Sequence, residues 1–159
     1  MNTPLIDLSS LRKALEKLIE AIQFWQALAD EAPLKPHLRS SVIQSFEFSY
    51  ELSVRAMRRV LIERSESADL IRDLSFNDLL RSALDAGFPI EINAWRRWRE
   101  MRNGTSHAYD EERAQAVALE SATFAKDATL LLDYLYLTNA PATTQAPLLP
   151  ELKQTDIGT

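Results

Sequence analysis

Apolar residues recur along this chain at spacings of three and four, the period of a helix that turns one face to a core. Leu8, Leu11, Leu15, Leu18, Ile22 and Trp25 form the first such stripe and predict a helix from about Leu8 to Ala29, with Asp7 as the candidate N-cap. Pro33 and Pro36 punctuate the loop after it. A second long helix is expected from about His37 to Glu63, where Leu38, Val42, Ile43, Phe46, Tyr50, Leu52, Met57, Val60 and Leu61 occupy more than half of the circumference. A helix that is apolar over so much of its surface touches several neighbours, so this one belongs at the centre. Arg64 to Leu74 is mostly polar and reads as a loop. Ser75 can cap a shorter helix through Ala86, ended by Gly87 and then Pro89. A fourth helix begins near Ile90 to Ile92, carries Trp95, Trp98 and Met101 at spacings of three, and stops at Gly104. The last runs from about Asp110 to Leu137, with Asp110, Glu111 and Glu112 in its first turn, where the helix dipole favours negative charge.

Periodicity disappears after Asn139, and Pro141, Pro147 and Pro150 gather in the remainder of the chain. The chain therefore divides into one helical domain over 1–139 and a Pro-rich tail over 140–159, which is expected to be disordered or loosely attached. At 159 residues with 46% hydrophobic residues, a single sizeable core is the expectation, and only 3 glycines favour helix over tightly turned sheet. The fold class read from this pattern is all-α.

Composition also excludes some chemistry. With no cysteine, disulfides, thiol catalysis and thiolate metal sites are out, and 2 histidines make a His-rich metal site a poor reading. No leader-like start and no apolar run of about 18 residues occurs, so a cytoplasmic protein without a membrane span is expected. The net charge of -5 argues against a general nucleic-acid coat, because nonspecific affinity comes from Lys and Arg on phosphates. A local basic site remains open.

Such a site is suggested where two unusual features coincide. Arg96, Arg97, Arg99 and Arg102 cluster on the fourth helix, and Arg102-Asn103-Gly104-Thr105-Ser106-His107-Ala108-Tyr109 lies at the break before the last helix. In an unbroken helix residues five apart point about 140° from each other, and a glycine break would release Arg102 and His107 from that restriction. Arg99, Arg102, Thr105 and Ser106 offer donors to a phosphate, and His107 adds an imidazole, the side chain best suited to move a proton. The alternative is structural: basic residues complement a helix C-terminus and Asn-Gly terminates helices. On the second helix, Gln44, Glu47 and Glu51 form a polar stripe, either a carboxylate pair for a metal or partners for neighbouring arginines, and ion pairing is the preferred reading. Trp95, Trp98 and Met101 are expected in the core or a dimer interface, and His37 on the surface.

The run Arg102-Asn103-x-x-x-His107-x-Tyr109 resembles the Arg-x4-His-x-Tyr motif of HEPN proteins, in particular the HepT-like, nucleotidyltransferase substrate-binding-like branch. Ile43-Gln-Ser-Phe-Glu-Phe-Ser-Tyr-Glu-Leu52 is similar to that branch's second-helix signature, and the likeness extends over roughly Ile6 to Leu137. The resemblance implies an up-and-down antiparallel bundle of four to five helices that forms a homodimer, with no cofactor. It implies a toxin of a two-gene toxin-antitoxin module, cleaving RNA without metal and silenced when a separately encoded minimal nucleotidyltransferase adds AMP to the motif tyrosine. Carried over by position, Arg102 and His107 would be catalytic, Asn103 supporting and Tyr109 the AMP acceptor. Arg99, Thr105 and Ser106 are then candidate RNA contacts, with Glu47 and Glu51 behind them. The other reading of the same resemblance is a noncatalytic substrate-binding subunit of a two-chain nucleotidyltransferase.

Overall fold

The computed structural model describes residues 6–107 and 109–139, so the tail over 140–159 lies outside the described residues. The elements are α1 (Ser9–Ala27), α2 (Lys35–Arg64), α3 (Ala68–Arg72), α4 (Phe76–Asp85), α5 (Ile92–Gly104), a 3-10 turn (Thr105–His107) and α6 (Glu111–Asn139), with no strand among the described residues.

Side-chain ties fix the helix directions. Arg39, near the start of α2, meets Glu111 at the start of α6 at 2.9 Å, while Arg64 at the end of α2 donates to Tyr134 Oη at 3.0 Å and Thr138 Oγ1 at 2.6 Å. Helices α2 and α6 are therefore parallel. Between α1 and α2 the chain reverses, with Lys35 Nζ donating to the Leu28 carbonyl at 2.7 Å, and Asn139 Nδ2 at the end of α6 reaches the Ile6 carbonyl at 3.1 Å. Helix α5 descends from Phe88, whose ring lies 5.1 Å from that of Tyr134, past Trp98, whose indole N–H donates to Asp127 at 2.9 Å. The result is the expected up-and-down bundle, with α1 and α5 opposed to α2 and α6. No described helix is long and apolar enough to cross a membrane.

The α1 stripe is buried as the periodicity predicts, at Leu11, Leu15, Leu18, Ile22 and Trp25. Central α2 packs most extensively against α1 and α6. Phe124 of α6 joins three helices: its ring is 5.0 Å from Phe46 at 90°, 6.0 Å from Trp95 and 5.9 Å from Trp98, each in edge-on geometry. Trp95 and Trp98 are core residues, and Met101 is half-buried.

Several boundaries depart from the sequence reading, each for a physical reason. Helix α1 begins at Ser9 and ends at Ala27, and Asp7 is not the N-cap: it precedes the capping position and accepts from the Ser9 N–H at 2.9 Å. Pro36 lies inside the first turn of α2, where its missing N–H costs nothing, so the helix starts at Lys35. The segment expected as a loop holds α3, because Arg58 Nη1 donates to the carbonyls of Ile71, Arg72 and Leu74 at 2.8, 3.3 and 3.1 Å. Nothing local in Ala68–Arg72 signals that distant donor. Ser75 caps α4 as expected, accepting from the Asp78 N–H at 3.2 Å, and Gly87 takes φ +91, the left-handed position that glycine allows.

Because Phe124 fills the junction of α2, α5 and α6, Phe124→Ala is expected to destabilise the domain by about 3–5 kcal/mol in urea unfolding. A loss under about 1 kcal/mol would show that the aromatic junction does not hold these helices together.

Candidate active site

Gly104 does not break the chain in the way its sequence position suggests. The only described glycine with positive φ is Gly87; Gly104 remains helical, and a Cβ built on it would meet nothing within 4 Å. The chain tightens directly from α5 into the 3-10 turn, with the Thr105 N–H bonded to the Arg102 carbonyl. Arg102 and His107 are thus not released toward one another. Each takes its own direction.

Arg102 turns inward and lies half-buried against α2. Its Nε and Nη2 donate to Glu51 Oε1 at 3.1 and 2.6 Å, Nη1 lies 3.5 Å from Glu47 Oε2, and Nη1 also donates to Thr105 Oγ1 at 3.2 Å. The Thr105 hydroxyl in turn donates to the Arg102 carbonyl at 2.7 Å, and Thr105 is buried. One turn of α2 separates the two carboxylates, so both reach one guanidinium. The ion-pair reading of Glu47 and Glu51 is borne out, and Gln44 stays exposed. Arg102 stands where a cation shared by that pair would sit, and no group of three metal-ligating side chains occurs among the described residues.

His107 faces the opposite environment. It is exposed, and its ring centroid lies 6.0 Å from that of Tyr109, itself 85% exposed, with the planes 76° apart. Asn103 and Ser106 are exposed too, with Ser106 Oγ donating to the Asn103 carbonyl at 3.2 Å. Past Tyr109 the turn is anchored again: the Asp110 N–H bonds to the His107 carbonyl at 3.0 Å, Asp110 Oδ1 accepts from the Glu112 N–H at 3.0 Å, and Glu111 holds Arg39. His107 and Tyr109 therefore project from a short connection fixed at both ends.

The arginine cluster does not form one patch. Arg96 Nε donates to Asn77 at 2.9 Å and Arg99 lies 4.6 Å over the Phe76 ring, both toward α4, while Arg97 covers Trp98 at 4.7 Å. Of the candidate residues, the structure brings Arg102, Thr105, Glu47 and Glu51 into contact, turns Arg99 to α4, and leaves Asn103, Ser106, His107 and Tyr109 on the solvent side. His37 is exposed, as expected.

One residue of this neighbourhood escaped the sequence reading. Tyr50 is counted there only among core positions, yet it sits one turn from Glu47 and next to Glu51. Burial pushes its phenol up to about 12, opposed by the charges of Arg99 and Arg102 and aided by that of Glu51. The signal in the sequence was its place in the Phe-Glu-Phe-Ser-Tyr-Glu run.

The Arg102 pairs are partly solvent-exposed, so Glu51→Gln is expected to cost at most about 1 kcal/mol of stability while freeing the Arg102 Nε–H from protection in NMR hydrogen exchange. Unchanged protection would show that Glu51 does not hold the guanidinium. Tyr50 gives a pH prediction. An unfolded tyrosine loses its proton near 10.0, the folded one near 12, so between these values the unfolded state binds fewer protons and stability falls as pH rises. Tyr50→Phe should lose less stability than wild type across that window in urea titrations; equal slopes would contradict the burial of the phenol.

Comparison with known proteins agrees with the geometry. Residues 6–136 match the family described as nucleotidyltransferase substrate binding protein like. A Haemophilus influenzae protein named probable ribonuclease HepT is 40% identical over 102 residues, 64% of this chain and 70% of that protein. A solved Haemophilus influenzae structure, described as revealing the fold of a substrate-binding domain of a nucleotidyltransferase, superposes with a TM-score of 0.74 at 32% identity, covering 81% of this chain and 98% of the other. The chain belongs to the HepT-like, nucleotidyltransferase substrate-binding-like family.

Proposed function

We propose that this chain is a HepT-like endoribonuclease toxin, neutralised when a cognate minimal nucleotidyltransferase transfers AMP from ATP to Tyr109. The observation that carries this reading is the division of the motif: a guanidinium immobilised by Glu47, Glu51 and Thr105, and beside it in sequence an exposed imidazole and an exposed phenol on one anchored turn. Their exposure leaves His107 open to solvent and Tyr109 open to a modifying enzyme. The relative named probable ribonuclease supports the activity.

Chemically, Arg102 balances charge that builds on the phosphate, and His107 moves the proton. The ribose 2′-oxygen attacks phosphorus as its proton leaves to a base, and the 5′-oxygen departs with a proton from an acid, leaving a 2′,3′-cyclic phosphate and a 5′-hydroxyl. These steps draw on no metal and no cofactor. Two copies of the motif across a homodimer cleft would let one His107 act as base and the other as acid. Asn103 and Ser106, exposed beside His107, are the polar contacts open to RNA, and with a net charge of -5 the substrate is a short single-stranded segment. Addition of AMP forms a Tyr109 oxygen–phosphorus bond and releases pyrophosphate. It places bulk and negative charge beside His107, where the RNA phosphate must enter.

A second reading, a noncatalytic substrate-binding subunit of a two-chain nucleotidyltransferase, is favoured by the solved structure's description. Expression of the chain alone separates the two. Growth arrest is expected, relieved by the partner, with His107→Ala losing about 10²–10⁴ in cleavage rate and all toxicity. Tyr109→Phe should stay toxic beside the partner. A harmless wild-type chain, or an equally toxic His107→Ala, would support the binding-subunit reading instead.

A further inference from the structure

The carboxylates that fix Arg102 create a difficulty for the proposed cleavage reaction. One guanidinium faces two glutamates, at 2.6 Å from Glu51 and 3.5 Å from Glu47, and much of its donor capacity is already engaged. An RNA phosphate arriving at Arg102 meets that local negative charge, so a neutral donor that adds no repulsion is worth more there than in a basic groove.

Tyr50 has the properties such a donor needs. It lies on α2 three residues after Glu47 and one before Glu51, the same turn that presents both carboxylates to Arg102. Its ring is packed beside Phe46 and Phe124, at 6.3 and 6.4 Å between centroids, so the hydroxyl has little freedom to wander. Only 7% of the residue is exposed, yet the hydroxyl has no hydrogen-bond partner among the described residues. Buried tyrosines usually satisfy their hydroxyl, and one left open beside an arginine site has a bond to give.

We propose that Tyr50 is a further residue of the nuclease site, its hydroxyl donating a hydrogen bond to the RNA phosphate that Arg102 neutralises. The inference rests on the ribonuclease reading. The phenol, held protonated to about pH 12, acts as a fixed donor and exchanges no proton in the reaction. This separates its role from that of His107.

The test compares wild type, His107→Ala and Tyr50→Phe, each as the full chain purified without a nucleotidyltransferase, in single-turnover cleavage of deproteinised total bacterial RNA from pH 6 to 9. Tyr50→Phe keeps the ring against Phe46 and Phe124 and removes only the hydroxyl. Its rate is expected to fall about 10- to 100-fold, by the same factor at every pH, with the melting temperature unchanged. A variant that cleaves at the wild-type rate overturns the proposal. So does a loss that grows or shrinks with pH, which would mark a proton-transfer role, or a loss matched by a lowered melting temperature, which would mark a packing role. A wild type no faster than His107→Ala overturns the ribonuclease reading itself, and this inference with it.

Discussion

Where α2, α5 and α6 meet, the ring of Phe124 packs edge-on with Phe46, Trp95 and Trp98, and the placement of the motif depends on that junction. Helix α5 is short and rich in arginine, and its fully buried side chains are the two tryptophans, of which Trp98 also bonds to Asp127. With the two indoles sunk against Phe124, the last turn of α5 is set beside the middle of α2. Arg102 then falls within reach of Glu47 and Glu51, and their ion pair is produced by core packing several residues away.

The same placement divides the motif into an inward and an outward half. Two carboxylates and Thr105 draw Arg102 in, and the tightening into a 3-10 turn sends His107 and Tyr109 out. Such a half-site suits a shared cleft better than a pocket within one chain. On the proposed function the same arrangement would make Tyr109 a switch, since its exposed ring, 6.0 Å from that of His107 between centroids, is where an added nucleotide would crowd the imidazole.

Much of this was legible in the sequence, because helical periodicity reports which face is buried. The α1 stripe, the central role of α2, the Ser75 cap and the left-handed Gly87 all arise from local pattern. Features made by distant partners were not legible. Helix α3 depends on Arg58 reaching across from α2, with its guanidinium donating to the carbonyls at the end of that helix. Gly104 misled for a related reason: glycine permits a left-handed turn, but the Thr105 side chain and the pull of Arg102 toward α2 keep the backbone helical. The arginine run, too, looked like one patch in sequence, and only the positions of Asn77, Phe76 and Trp98 show that it is dispersed.

On the proposed mechanism Arg102 and His107 direct the 2′-oxygen of RNA onto its own phosphate, and the chemistry of the cut ends records whether they do. RNA cleaved by the full chain should carry 2′,3′-cyclic phosphate and 5′-hydroxyl termini, identified by mass spectrometry of the fragments. Termini bearing a 3′-hydroxyl and a 5′-phosphate would contradict the account, because they require water rather than the ribose as the attacking group.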